Sequence, residues 1–157
     1  MSASRLLGAL AAADVRFVVG GIAALVQGAP VVTFDVDGVH SRAPDNVRRL
    51  LRVLTDIDAT CVRLPGAAPI EPREELLLGE GHHLLTTRFG RLDVLGRIEG
   101  GRGYEELLPC SVEVAIDDAR IRVLTLAMLV EIKRTSSRPK DRAMVPILEA
   151  VLRRTTS

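Results

Sequence analysis

A strand, a pair of glycines, a helix and a second strand follow one another near the start of the chain, and this order constrains the fold most. Residues 15–19, which are apolar except for Arg16, predict a buried strand, and Gly20 and Gly21 predict a turn after it. Residues 22–27 are typical of a short helix, and residues 31–37 predict the next strand. Alternation of this kind indicates an α/β protein.

The rest of the chain predicts further strands and helices around the same sheet. Strands are predicted at residues 60–63, 82–89, 91–95, 111–116 and 120–123, and helices near the amino terminus and at 45–57, 104–108, 126–135 and 139–154. The Pro- and Gly-rich residues 64–81 are interpreted as a surface loop with one helical turn at most. With 157 residues, 47% of them hydrophobic, we expect a single domain spanning 1–157, with a mixed twisted β-sheet flanked by helices.

Composition limits the choice of partner and compartment. A net charge of +1 gives no broad electrostatic footprint for duplex nucleic acid or an anionic membrane. Cys61 and Cys110 are too few and too far apart for a disulfide framework or a zinc site, so we expect a cytoplasmic protein. The opening segment superficially resembles a secretory signal, but an amphipathic first helix is the favoured interpretation, and no membrane span is predicted.

Two acidic residues alternate on the second predicted strand. The period of a strand puts Asp35 and Asp37 on one face, roughly 7 Å apart. Two carboxylates suit Mg²⁺, which is commonly held by one or two carboxylates together with substrate phosphates. The alternative is an ordinary strand with a solvated acidic face.

The glycine pair precedes these acids by a short helix. Backbone amides at a strand-to-helix turn approach phosphate closely, because glycine lacks a side chain and a helix amino terminus attracts anions. A plain tight turn is the alternative. The combination, with thirteen residues between Gly21 and Asp35, is more specific than either part.

This combination resembles the nucleotidyltransferase superfamily that includes DNA polymerase beta, and most of all its minimal bacterial branches such as the AbiEii-type toxins. The resemblance implies that Gly20 and Gly21 cradle a triphosphate, with Thr33 nearby, and that Asp35 and Asp37 bind catalytic metals. It also implies a third carboxylate from a later strand, for which Asp93 is the candidate; a strand residue facing water is the alternative.

The only two lysines lie in one late segment that also resembles this family. Lys133 shares helical spacing with apolar residues and is a candidate for meeting phosphate charge, as is Lys140; a core lysine with an exposed tip is the alternative for Lys133. Asp141 precedes apolar residues by one turn, which indicates an ion pair or a helix-start contact in the interior.

The predicted activity is transfer of a nucleoside monophosphate from a nucleoside triphosphate to an acceptor hydroxyl, with two Mg²⁺ ions. Asp93 either binds metal or accepts the acceptor's proton, and the acceptor is RNA such as tRNA, a protein, or a small molecule such as an aminoglycoside. A non-catalytic partner module of a toxin-antitoxin or defence system, binding an antitoxin or forming a homodimer, is the alternative.

Gly38 is the one departure from the family pattern. Glycine there suggests a weakened strand or a bulge, and it creates a similarity to the first motif of haloacid-dehalogenase phosphatases, in which Asp35 is the nucleophile and Asp37 the acid/base. That motif normally opens its domain on the first strand. The histidines are interpreted as surface or packing residues, while Arg42 and Tyr104 lie in loops with no derivable role.

Overall fold

The computed structural model describes residues 2–20, 36–62 and 66–156, and every structural statement below concerns these ranges. The helices are α1 (Ser2–Ala12), α2 (Pro44–Asp56), α3 (Glu74–Leu77), α4 (Tyr104–Leu107), α5 (Leu126–Thr135), α6 (Pro139–Ala143) and α7 (Val145–Thr156), with a 3-10 turn at Leu108–Cys110. The strands are β1 (Phe17–Val19), β2 (Val36–His40), β3 (Thr60–Cys61), β4 (His82–Thr87), β5 (Gly90–Leu95), β6 (Ser111–Ile116) and β7 (Ala119–Leu124). Within the described ranges, no helix has both the length and the apolar composition needed to cross a bilayer.

The seven strands form one mixed sheet in the order β3-β4-β5-β2-β1-β7-β6. β2 runs parallel to β5 and β1 parallel to β7, while the other neighbouring pairs are antiparallel. The sheet confirms the predicted fold class.

Alternate residues give the sheet two faces with different environments. The back face carries Phe17, Val36, Leu92 and Val94, which are buried beneath α1 and α2. The front face carries the residues between them, and α5 covers it over part of β2 and β7, where Leu129 packs near Leu124. Both predicted acids of β2 and β5 that the structure describes lie on this front face.

The second strand extends further than the sequence pattern indicates. Gly38 lies inside β2 and pairs with Val19 on one side and Val94 on the other, so the predicted bulge is absent. A Cβ atom at Gly38 would lie 3.3 Å from Cδ2 of Phe17. Glycine therefore makes room for an aromatic ring on the back face.

Two further predictions are corrected. The single helix predicted at 139–154 is divided at Met144 into α6 and α7, since Pro146 has no N–H to donate to the carbonyl of Arg142. The segment interpreted as a surface loop contains the one helical turn allowed for it, α3, but Leu77 of that turn is fully buried instead of lying at the surface. The leucine anchors that segment to the core.

Candidate active site

Two carboxylates stand side by side on the front face. Asp37 of β2 is the direct partner of Asp93 of β5 in a parallel pair, so both side chains leave the same side of the sheet, with their Cα atoms about 5 Å apart. Their neighbours Leu92 and Val94 point the other way into the core. The alternation of apolar and acidic residues in β5 thus aims Asp93 at the same space as Asp37.

Gly20 closes this space on the opposite side of Asp37. Its backbone N–H donates a 3.1 Å hydrogen bond to the carbonyl oxygen of Asp37. A Cβ atom at Gly20 would lie 3.1 Å from Oδ2 of the Asp37 carboxylate. The absence of a side chain therefore keeps one edge of the carboxylate uncrowded.

A small cavity of about 60 Å³ connects these residues with α5. It is lined by Gly20, Asp37 and Lys133, together with apolar residues such as Leu95 and Leu129. The apolar stripe of α5 packs on the sheet, and Lys133 follows at the same helical spacing. Its side chain is 19% exposed, as its place on the apolar stripe predicts.

An ion-pair network fixes Lys133 at the cavity. Lys133 Nζ donates to Oδ1 of Asp141 over 3.1 Å, and Ser136 Oγ donates to Oδ2 over 2.7 Å. Arg138 adds bonds from Nε and Nη2 to the two carboxylate oxygens, at 3.1 and 3.3 Å. The turn that makes this possible lies between α5, which ends at Thr135, and Pro139, which begins α6. Of the two interior contacts predicted for Asp141, an ion pair or a helix-start contact, the structure shows the ion pair.

Hydrogen bonding dominates the acid–base properties of Asp141. Burial raises its pKa, but the hydrogen bonds from Arg138, Ser136 and Lys133 outweigh burial and lower the pKa to about 2. The carboxylate is therefore ionised at neutral pH, with both cations held around it.

Arg138 connects this network electrostatically to the acids of the sheet. Its pKa is raised first by the hydrogen bonds to Asp141, and the negative charge of Asp37 contributes as well. The Arg138 side chain is 74% exposed, so its guanidinium remains accessible beside the cavity. No role is predicted for Arg138 from the sequence pattern. The sequence feature that indicates this contact is the spacing of three residues between Arg138 and Asp141, because side chains three residues apart lie close together in a helical turn.

The predicted site residues divide into three groups. Gly20, Asp37 and Lys133 line one cavity, and Asp93 stands beside Asp37. Lys140 is exposed on α6 and makes no ion pair with any residue in the described ranges.

The third group comprises Gly21, Thr33 and Asp35, which lie outside the described residues. Among the residues that are described, no group of three or more histidines, cysteines or carboxylates forms a metal-binding cluster. Asp37 and Asp93 nevertheless offer adjacent oxygen donors, which is the donor chemistry that Mg²⁺ prefers.

Arg42 and the histidines hold another part of the fold. The Arg42 guanidinium donates to the carbonyl of Leu78 over 3.2 Å, and the buried His40 bonds through Nε2 to the carbonyl of Leu77 at 2.7 Å. Burial lowers the pKa of His40, and it lowers the pKa of His83 as well. These residues secure the segment around α3 and do not line the cavity.

Tyr104 begins α4, the short helix that packs against β1. Burial raises the pKa of its hydroxyl, and the nearby positive charges of Arg16 and Arg122 oppose that effect. The ring is partly buried. It does not line the cavity beside Asp37.

Comparison with known proteins gives a match in structure only. No family model matches the chain, and no curated protein matches it. The crystal structure of the lincosamide antibiotic adenylyltransferase LnuA, with lincomycin bound, is 13% identical, with 96% of each chain covered and a TM-score of 0.59. TM1012 of Thermotoga maritima, provisionally assigned as a nucleotidyltransferase, is 19% identical, with 79% of this chain and 75% of that chain covered and a TM-score of 0.51. The chain therefore adopts the nucleotidyltransferase fold.

Proposed function

We propose that the protein transfers a nucleoside monophosphate from a nucleoside triphosphate to an acceptor hydroxyl. The observation that carries this proposal is the pairing of Asp37 with Asp93 on adjacent strands, beside Gly20 and within the reach of α5. The shared fold with LnuA, an adenylyltransferase, supports the same reaction class. In the reaction, the acceptor oxygen bonds to the α-phosphorus while the bond from that phosphorus to the bridging oxygen breaks, and pyrophosphate leaves.

Asp37 and Asp93 would hold Mg²⁺ together with Asp35, and the sequence predicts two ions. When bound, the metal supplies positive charge that polarises the phosphate oxygens. The paired carboxylates on one face fit this role because both are hard oxygen donors.

Residues of the protein itself supply nucleotide binding, orientation and proton transfer. Gly20, with Gly21 after it, leaves room for the triphosphate against the Asp37 carboxylate. Lys133 offsets negative charge that develops on the departing pyrophosphate, and Arg138 does the same from the rim of the cavity. Asp93 accepts the proton of the attacking hydroxyl or shares the metal.

The test is transfer of label from the α-phosphate of ATP, GTP, CTP and UTP, combined with calorimetry of each nucleotide with and without Mg²⁺. Asp37→Asn and Asp93→Asn are expected to abolish transfer while the thermal unfolding transition persists. Asp118→Asn is the matched control, because Asp118 is exposed on the β6–β7 turn. Transfer by Asp37→Asn at the unaltered rate would refute the assignment.

The same calorimetry separates the enzyme from a non-catalytic partner module, which need not bind any nucleotide. The phosphatase alternative gains nothing from the fold, since the strand that carries Asp37 is the second of the described strands in chain order and pairs antiparallel with the first. The AbiEii-type branch, a toxin-antitoxin or homodimer partner, and a cytoplasmic location stay predictions from the sequence.

A further inference from the structure

Part of the front face has exposed apolar side chains directly beside the paired acids. In the antiparallel pair of β4 and β5, Leu84 is the direct partner of Asp93, which in turn is the partner of Asp37. Leu84, Asp93 and Asp37 therefore form one row across three strands, on one side of the sheet. Leu84 is 46% exposed, whereas its neighbour Leu85, on the back face, is fully buried.

The apolar surface continues onto the next strand. Val62 donates its backbone N–H to the carbonyl of Leu84 over 2.8 Å, which extends the pairing of β3 with β4. Val62 is 42% exposed. The row thus runs from an apolar end, at Val62 and Leu84, to an acidic end at Asp93 and Asp37.

Arg91 and Thr86 lie on the same face as Asp93 and Leu84, two residues away along their strands. Arg91 precedes Asp93 by two residues, so the two side chains share a face with their Cα atoms roughly 7 Å apart. Arg91 pairs in register with Thr86, and both are exposed. Arg91 forms no ion pair with any residue for which the structure gives a position. Val62, Leu84, Thr86 and Arg91 are called the platform below.

We infer that the platform binds the acceptor, and that the acceptor is a small hydroxyl compound with an apolar body and a negatively charged group. This inference rests on the proposed function, because Asp93 must face the hydroxyl that attacks. The apolar body lies on Leu84 and Val62, and the anionic group pairs with Arg91. In this position the hydroxyl points along the row to Asp93, next to Asp37.

Size and charge select this class of acceptor. Three neighbouring strands span roughly 10 Å, which matches a small molecule. Within the described ranges the platform offers a polyanion one cation, Arg91. Leu84 and Val62 provide apolar contact area that a purely polar acceptor leaves unused.

The experiment uses the full chain with a nucleotide labelled in its α-phosphate and Mg²⁺. The acceptor probes are the dialysable metabolites of a cell extract, separated by ion exchange into anionic, neutral and cationic pools, and the non-dialysable macromolecules are a fourth sample. Label is expected in conjugates from the anionic pool. Label confined to the neutral pool, the cationic pool or the macromolecules would overturn the inference.

Two variants test the platform itself. Leu84→Thr and Arg91→Gln are each expected to raise the acceptor KM about tenfold, the usual scale for removing apolar contact or a charge partner from a specificity site, with nucleotide affinity unchanged. Val112→Thr and Arg120→Gln are matched controls on the strands at the far end of the sheet. Unchanged acceptor KM in both platform variants would contradict the inference.

A failure of the proposed function is recognised separately by calorimetry. If the unaltered protein binds no nucleoside triphosphate, or binds it equally well after Asp37→Asn, the reaction class is wrong and the acceptor assignment falls with it. If nucleotide binding depends on Asp37 but label enters only the neutral, cationic or macromolecular samples, the acceptor inference alone is overturned.

Discussion

Asp37 on β2 lies directly opposite Asp93 on β5, although 55 positions separate the two residues in the chain. The pairing depends on a parallel crossover between strands that the sequence predicts only one at a time. It gives two carboxylates one environment, bounded by a glycine on one side and by α5 above. The properties of the candidate site follow from this arrangement, and each can be measured.

Any side chain at position 20 is expected to reduce nucleotide transfer. In Gly20→Ala the new Cβ would stand 3.1 Å from Oδ2 of Asp37, so the carboxylate must shift by a few tenths of an ångström. We expect a loss of about tenfold or more in kcat, since small misplacements of catalytic groups are costly, and a greater loss in Gly20→Val. Steady-state kinetics measure both.

The control for this prediction is Gly8→Ala on α1, where a Cβ meets no atom within 4 Å. Alanine in a helix stabilises relative to glycine, so this variant should unfold at a higher denaturant concentration with unaltered kinetics. Equal kcat values for Gly20→Ala and the unaltered protein would show that the glycine has no part in the site.

Replacement of Lys133 is expected to lower kcat much more than replacement of Lys140. Lys133→Met keeps an apolar side chain on α5 but removes the cation from the cavity, so kcat should fall about a hundredfold, the scale of losing one electrostatic contact to a transition state. Lys140→Met should transfer at the normal rate, because Lys140 is exposed on α6. A larger loss in Lys140→Met would reverse the assignment.

Asp141 is expected to stabilise the fold in a pH-dependent way. Its pKa is lowered from 3.8 to about 2, so its contribution is fully present above pH 3.8 and is lost as the pH falls towards 2. The shift corresponds to about 2 kcal/mol of unfolding free energy at neutral pH. Urea denaturation of Asp141→Asn against the unaltered protein should show that difference at pH 7 and a much smaller one near pH 2. A difference independent of pH would contradict the prediction.

His40 is expected to make the fold less stable in mild acid. Burial lowers its pKa below 6.5, so the unfolded chain takes up the proton first, and stability falls as the pH drops from about 6.5. His40→Gln retains a donor for the Leu77 carbonyl and should flatten this dependence in denaturation experiments at several pH values. His83, whose pKa burial also lowers, accounts for the slope that remains. An unchanged slope would show that His40 does not titrate on unfolding.

Local pattern was sufficient for most elements of the fold. The apolar stripe of α2, the β6–β7 hairpin and the bounds of α5 follow from periodicity and turn residues. The division at Met144 was missed because a continuous apolar pattern outweighed the lost hydrogen bond at Pro146. The extension of β2 through Gly38 was missed because it depends on the position of Phe17, which is a tertiary contact.

The candidate site was only partly predictable. Asp37 and Lys133 could be found from spacing, but the register that brings Asp93 beside Asp37 arises from pairing between distant strands. Arg138 joins the site through a turn between two helices, and no periodicity encodes that geometry. Asp35, Gly21 and Thr33 lie outside the described residues and stay predictions.

Coupling between Asp37 and Asp93 in binding a magnesium–nucleotide complex tests the central claim most directly. Calorimetry of Asp37→Asn, Asp93→Asn and the double variant forms a double-mutant cycle. If both carboxylates act on the same bound complex, the double variant should bind about as weakly as the weaker single variant. Losses that simply add, or unaltered binding by Asp93→Asn, would show that the two residues do not form one site.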